Sequence, residues 1–103
     1  MEIQKSSKVI ACKLSSPELQ KRKQEVLASV KNKMLQKVET ANGYKYRFAA
    51  SDALTDELVS FIKTERQCCD FFEFSLTFLE HETWLSITGP GGAKEFIVEE
   101  LNF

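Results

Sequence analysis

The sequence predicts a single α+β domain, a two-layer sandwich. Its element order is ferredoxin-like, β-α-β-β-α-β, with one β-strand and a C-terminal helix appended. Three observations carry this. Short segments with period-two hydrophobicity alternate with two long segments of helical period. The 103 residues suffice for one domain and not for two. Hydrophobic residues make up 43% and charged residues 28%, which can fill a small core and cover it.

The first strand is expected over Lys8–Leu14, where Ile10, Cys12 and Leu14 share one face. Ser16 then suits an N-cap and Pro17 a first helical position, because the N–H that proline lacks would have no helical partner. Helix one runs to about Met34 and lines up Leu19, Val26, Leu27, Val30 and Met34. Lys23 falls near the middle of that apolar stripe.

A hairpin follows around "TANGY". A two-residue Asn42-Gly43 turn would put Val38 on the face away from Tyr44, Tyr46 and Phe48. A three-residue loop with Gly43 left-handed pairs Val38 with Tyr46 and is preferred, since the apolar faces then agree. Tyr44 and Tyr46 are read as core residues with hydroxyls at the edge. Helix two starts between Ser51 and Thr55, carries Asp56 and Glu57 at its positive end, and runs to about Cys69. Phe72, Phe74, Leu76 and Phe78 alternate as a fourth strand. A turn at Glu80–Thr83 leads to a fifth, Trp84–Thr88, with Phe78 opposite Leu85 and Leu76 opposite Ile87. "GPGG" ends that strand, and a short helix turns Ala93, Phe96, Ile97 and Leu101 inward.

Lys and Arg number 14, Asp and Glu 15, and a net charge of -1 offers no field for nucleic acid or anionic lipid. The basic residues of the first half are interleaved with apolar ones at helical spacing, as on a solvated helix face. No apolar run approaches the ~20 residues of a membrane span, and no signal segment opens the chain. A cytoplasmic location is expected, where the three cysteines would be reduced.

Chemistry concentrates at "FIKTERQCCDFFEF". One face of helix two presents Phe61, Ile62, Glu65, Cys68 and Cys69. A carboxylate on a buried face needs a partner, a proton or a solvated pocket. Lys23 is the matching oddity on helix one. Either it pairs with Glu65, with Arg22 or Arg66 as substitutes, or its amine snorkels to water. The thiols have two readings as well. Free cysteine packs as a small hydrophobe, and a helix C-terminus is a poor place for a thiolate. Against that, if the helix unwinds at Cys69, the sulfurs of Cys68 and Cys69 can turn toward one point, with Cys12 as a third. Soft thiolates suit Hg(II), Cu(I), Zn(II) or trivalent arsenic. Glu65 or His81 would complete a tetrahedral zinc site, although His81 lies on a hairpin turn and reads as exposed. There is no C-x-x-C, so thioredoxin and zinc-ribbon readings fail. "GPGGAK" lacks phosphate-loop spacing and reads as a strand-to-helix turn. Trp84 falls on the far sheet face, exposed or in a homodimer contact.

The runs "ERQCCDFFEF" and "WLSITGPGGAKEF", with "IACKLSSPEL" and "NGYKYRF", resemble a family of small bacterial proteins of about this length. Its members have no assigned reaction, and some are encoded near heavy-metal resistance or metal-responsive regulator genes. The resemblance implies a link to thiophilic metals and carries over Cys12, Glu65, Arg66, Cys68 and Cys69. Asp70 stands where proline is common in the family.

The leading expectation is therefore a small protein that binds a soft metal (Hg, Zn or Cu) or metalloid through Cys12, Cys68 and Cys69, with Glu65 as an outer-shell partner. Lys23, Arg22 and Arg66 are the supporting polar residues. The alternative is a non-catalytic interaction or dimerisation module whose cysteines pack. A thiol-dependent enzyme ranks third, because the one histidine stands in no recognised catalytic context.

Overall fold

A computed structural model describes residues 17–99, 101 and 103, with the side chains of all of these except Leu19 and Cys68. The expected first strand, with Cys12, lies outside the described residues, as does Ser16. Helix α1 spans Pro17–Asn32, strand β1 Gln36–Thr40 and strand β2 Gly43–Ala49. Helix α2 spans Asp52–Cys68, β3 Glu73–Phe78, β4 Glu82–Thr88 and α3 Ala93–Glu99.

The four strands form one antiparallel sheet in the order β1-β2-β4-β3. The α+β class stands. The ferredoxin-like strand order does not: it would place the first strand beside β2, and β2 already pairs with β1 on one side and β4 on the other. The strand expected as an appendage, β4, takes a central position instead. Its burial explains why. Thr83, Leu85 and Ile87 are all buried along one face of β4, whereas no residue of β3 is fully buried. A strand with a fully buried row belongs inside the sheet, and a half-covered one at its edge.

Residues directly opposite in an antiparallel pair share a face. One face therefore carries Tyr44, Tyr46, Phe48, Leu85, Ile87, Phe74 and Leu76. Leu27 and Val30 of α1, Leu54, Leu58 and Phe61 of α2, and Ala93, Phe96 and Ile97 of α3 join these in one core. The helices thus cover a single sheet face. Aromatic rings tie the layers together. Phe61 stands edge-on to Phe74 at 6.3 Å and stacks on Phe103 at 5.4 Å, and Phe103 contacts Tyr46 at 4.5 Å.

Both hairpins differ in register from the sequence expectation. Across β1–β2, Thr40 pairs with Gly43 and Val38 with Lys45, joined by the two residues Ala41 and Asn42. Val38 therefore faces outward, and Lys37 and Glu39 occupy the inner row. Gly43 is not the left-handed residue of a bulge. It is required because a Cβ there would collide with the Ile87 carbonyl oxygen of β4. In β3–β4, Phe78 pairs with Thr83 and Leu76 with Leu85, two residues from the expected register. A shift of two keeps every side chain on its face.

Helix α1 stops at Asn32, two residues before Met34. Lys33 and Met34 donate to the Val30 and Lys31 carbonyls at 3.1 and 3.2 Å, a tightened last turn. Helix α2 is capped by Ser51, whose hydroxyl accepts from the Leu54 N–H at 3.3 Å. Tyr46 is buried to its hydroxyl, which has no hydrogen-bond partner among the described residues, so that group does not reach the edge.

Candidate functional site: a buried carboxylate between an ammonium and a thiol

Helices α1 and α2 pack side by side, each with one charged residue on its apolar stripe. The two charges meet. Lys23 Nζ lies 3.7 Å from Glu65 Oε1, with the side chains 7% and 1% exposed. This is the ion pair and not the snorkelling lysine, because the amine lies beside Glu65 and the side chain is buried. Arg22 and Arg66, the proposed substitutes, are exposed.

One turn further along α2, Cys69 adds a thiol. Its Sγ donates to Glu65 Oε1 at 3.8 Å, and its backbone N–H donates to the Glu65 carbonyl at 2.6 Å. The helix breaks at this residue: Cys69 has φ -128° and ψ 77°, outside the helical region. Unwinding at Cys69 is the condition under which adjacent cysteine side chains escape the ~100° divergence of a continuing helix. Cys69 is fully buried, and the Phe72 N–H to Cys69 carbonyl bond at 3.3 Å closes the turn behind it.

The electrostatics follow from burial. Desolvation pushes the Glu65 carboxyl above the usual range, against the pull of Lys23 and of the Cys69 hydrogen bond. Burial, and then the neighbouring Glu65 charge, push the Cys69 thiol up to about 12. This thiol keeps its proton at neutral pH. Glu65 Oε2 is buried and has no hydrogen-bond partner among the described residues, while Oε1 receives both contacts. A wholly buried acceptor without a partner is uncommon.

Of the predicted set, the structure brings together Lys23, Glu65 and Cys69. Cys12 and the side chain of Cys68 lie outside what is described. Among the described residues, no three His, Cys, Asp or Glu side chains converge as a metal centre requires. His81 is exposed on the β3–β4 turn beside Glu80.

The other sequence features resolve into structural roles. In "GPGGAK", Gly92 has φ 96° and turns the chain into α3, and the Lys94 amine contacts Glu39 of β1 at 2.6 Å. On the outer sheet face Trp84 donates to Glu82 at 3.0 Å, with the Lys45 amine 5.2 Å from its ring centroid. Sequence reading missed a second inter-helix contact. Glu57 of α2 accepts from Ser29 of α1 and from Lys33 just beyond that helix, each at 2.8 Å. The i,i+4 spacing of Ser29 and Lys33 was its only signal. It also missed Phe103, a buried ring beyond the last helix.

No family model, curated protein or solved structure matches this chain. Among the described residues, no helix is long and apolar enough to cross a membrane.

Proposed function

We propose that this protein binds a soft, thiophilic metal or metalloid ion through Cys68 and Cys69, with Cys12 as a third thiol and Glu65 in the outer shell. One observation carries the reading. Helix α2 breaks at Cys69, and the buried thiol there faces a carboxylate that still has one acceptor oxygen without a partner. Ordinary packing of a cysteine asks for neither a buried carboxylate nor its countercharge. The resemblance at "ERQCCDFFEF" supports the same residues. His81, the chain's one histidine and so the only imidazole that could activate a thiol, is exposed on the β3–β4 turn beside Glu80, so a thiol-dependent enzyme has less support.

The test is a thermal shift with mercuric, cuprous and zinc ions on the reduced protein. A specific ligand at 100 times its Kd adds about 2.7 kcal/mol to the folded state. That shift should vanish in the Cys68→Ser/Cys69→Ser variant and shrink in Cys12→Ser. A shift that survives the double serine variant would dismiss the thiols as ligands.

A second reading has its own observation. Phe78 and Leu79, at the tip of the β3–β4 hairpin, are 58% and 52% exposed. Two large apolar side chains at a sheet edge fit an association module. Melting that depends on protein concentration and ignores metal would favour it.

A further inference from the structure

The expected strand Lys8–Leu14 precedes α1 and lies outside the described residues. The described elements fix the direction of any strand that leads into α1. Lys23 of α1 meets Glu65 near the end of α2, and Ser29 meets Glu57 near its beginning, so the two helices run antiparallel. Helix α2 joins the end of β2 to the start of β3 and runs against both. A strand leading into α1 therefore runs with β1 and against β3, and it finishes at the end of the sheet where β3 begins.

Handedness selects the edge. Strands β2 and β3 both pair antiparallel with β4, so they are parallel to each other, and α2 is the crossover between them. A strand before α1 and β1 make a second parallel pair, with α1 as the crossover on the same sheet face. Such crossovers are right-handed in about 98% of cases. The second pair points opposite to the first, so its right-handed step crosses the sheet in the opposite sense. Helix α2 carries the chain from β2 toward the β3 edge. Helix α1 then carries it from the β3 edge toward β1. Pairing beside β1 would make that crossover left-handed.

The two edges also differ in chemistry. Edge strand β1 carries Lys37 and Glu39 in its inner row, charges that guard an edge against pairing. Edge strand β3 carries Phe74, Leu76 and Phe78 there, and Phe78 is 58% exposed although Thr83 opposite it is buried. Among the described residues β3 is paired on one side alone.

We propose that residues 8–14 of this same chain dock on the open edge of β3 as an antiparallel fifth strand, with Ile10, Cys12 and Leu14 opposite Phe78, Leu76 and Phe74. This register alone sets all three apolar residues of the segment against all three of β3. It puts Lys13 on the outer face, diagonal to Glu73. Two residues, Ser15 and Ser16, separate Leu14 from Pro17, and that link spans at most about 10 Å. The inner row faces the layer in which Cys69 is buried, so the docked strand brings Cys12 to the sheet face that Cys69 shares.

The experiment uses the full reduced chain and the thiol it already has at Cys12. Leu76→Cys, Ser75→Cys and Lys37→Cys are each oxidised with diamide under native conditions, and the disulfides are mapped by mass spectrometry. Residues opposite each other in an antiparallel pair fall within the Cα separation of about 4.4–6.8 Å that a disulfide spans. Leu76→Cys should form an intramolecular bond to Cys12 about tenfold faster than Ser75→Cys, whose side chain is on the outer face. Lys37→Cys, at the other edge, should form none. Equal rates at positions 75 and 76, or a bond from Cys12 to Lys37→Cys, overturn the proposal. A bond between two chains at position 76 gives the edge to a second copy and overturns it as well. If Leu76→Cys folds poorly, hydrogen exchange on the parent decides. The β3 amides that do not bond to β4 should exchange about tenfold more slowly than the β1 amides that do not bond to β2. Equally fast exchange at the two edges overturns the docked strand.

Discussion

Lys23 Nζ stands 3.7 Å from Glu65 Oε1, and the pair joins α1 to α2 out of contact with water. Desolvating both charges offsets most of their attraction, so the intact pair adds little net stability. Removing one partner is different, because it strands the other. Lys23→Met is expected to destabilise the fold by about 3 kcal/mol. Adding Glu65→Met should recover most of that loss, since two apolar side chains then fill the space. Denaturant midpoints for both single variants and the double variant measure this. A Lys23→Met protein as stable as its parent would mean that the amine is solvated after all.

Gly43 is a tertiary requirement more than a turn requirement. Any Cβ there meets the Ile87 carbonyl oxygen on the neighbouring strand. Gly43→Ala should cost about 3 kcal/mol, with β2 and β4 forced apart. Gly91→Ala serves as the comparison: its Cβ meets nothing within 4 Å, and its φ is not positive. That variant should be neutral or more stable by roughly 0.5 kcal/mol. Similar melting temperatures for the two variants would contradict the close approach.

Phe103 anchors the chain beyond α3. Its ring is 4% exposed and bridges Tyr46 of the sheet to Phe61 of α2. Phe103→Ala should destabilise by about 3–5 kcal/mol, the range for a buried aromatic ring. Phe103→Leu, which keeps much of the volume, should lose less than half of that. Chemical denaturation of the three proteins orders them. An alanine variant within 1 kcal/mol of the parent would show that the ring is dispensable to the core.

These positions also show what could be read from the chain beforehand. The apolar stripes of α1 and α2 were legible from period alone, and so were the two residues that broke them. A charge on each of two neighbouring stripes made the Lys23–Glu65 contact one of two readings, beside a lysine whose amine snorkels to water. The competing snorkel failed: the Lys23 side chain is 7% exposed and its amine lies 3.7 Å from Glu65. Strand order was not legible, since the β2–β4 pairing joins segments more than thirty residues apart. The bulged hairpin was inferred by matching apolar faces, and that rule misled at Val38. Edge strand β1 tolerates a half-buried valine outside and Lys37 inside, where the amine lies 4.3 Å from the Tyr44 ring centroid. The role of Gly43 was hidden for the same reason: it depends on β4, not on the turn.

Cys69 should resist alkylation while the protein is folded. At a pKa of about 12 its thiolate fraction at pH 8 is about 1 in 10,000, against roughly a quarter for an ordinary thiol. Its full burial slows attack further. Mass spectrometry of iodoacetamide-treated protein should find Cys69 unmodified after other accessible sites have reacted. Mild denaturant should then release it. Rapid native labelling at Cys69 would place the sulfur in contact with solvent.

Glu65 and Glu57 should shift stability with pH in opposite directions. Burial raises the Glu65 carboxyl above its ordinary value of 4.5, and Lys23 only partly offsets this. A carboxyl raised on folding binds its proton more tightly in the folded state. Its contribution is fully present below the unfolded value and is lost as pH rises through the folded one. Glu57 behaves in reverse. The Lys33 hydrogen bond, aided by Ser29, lowers its carboxyl below 4.5, so its contribution is present above that value and lost as pH falls. Glu57 lies nearer the surface, which screens its effect and makes it the smaller of the two. Stability of the parent relative to Glu65→Gln should therefore decline as pH rises above the ordinary value of 4.5. Relative to Glu57→Gln it should be lost as pH falls below the ordinary value of 4.5. Denaturant midpoints taken at each pH give both curves. A Glu65 difference that climbed with pH would mean that the Lys23 ammonium outweighs burial, and the carboxyl would then be ionised throughout.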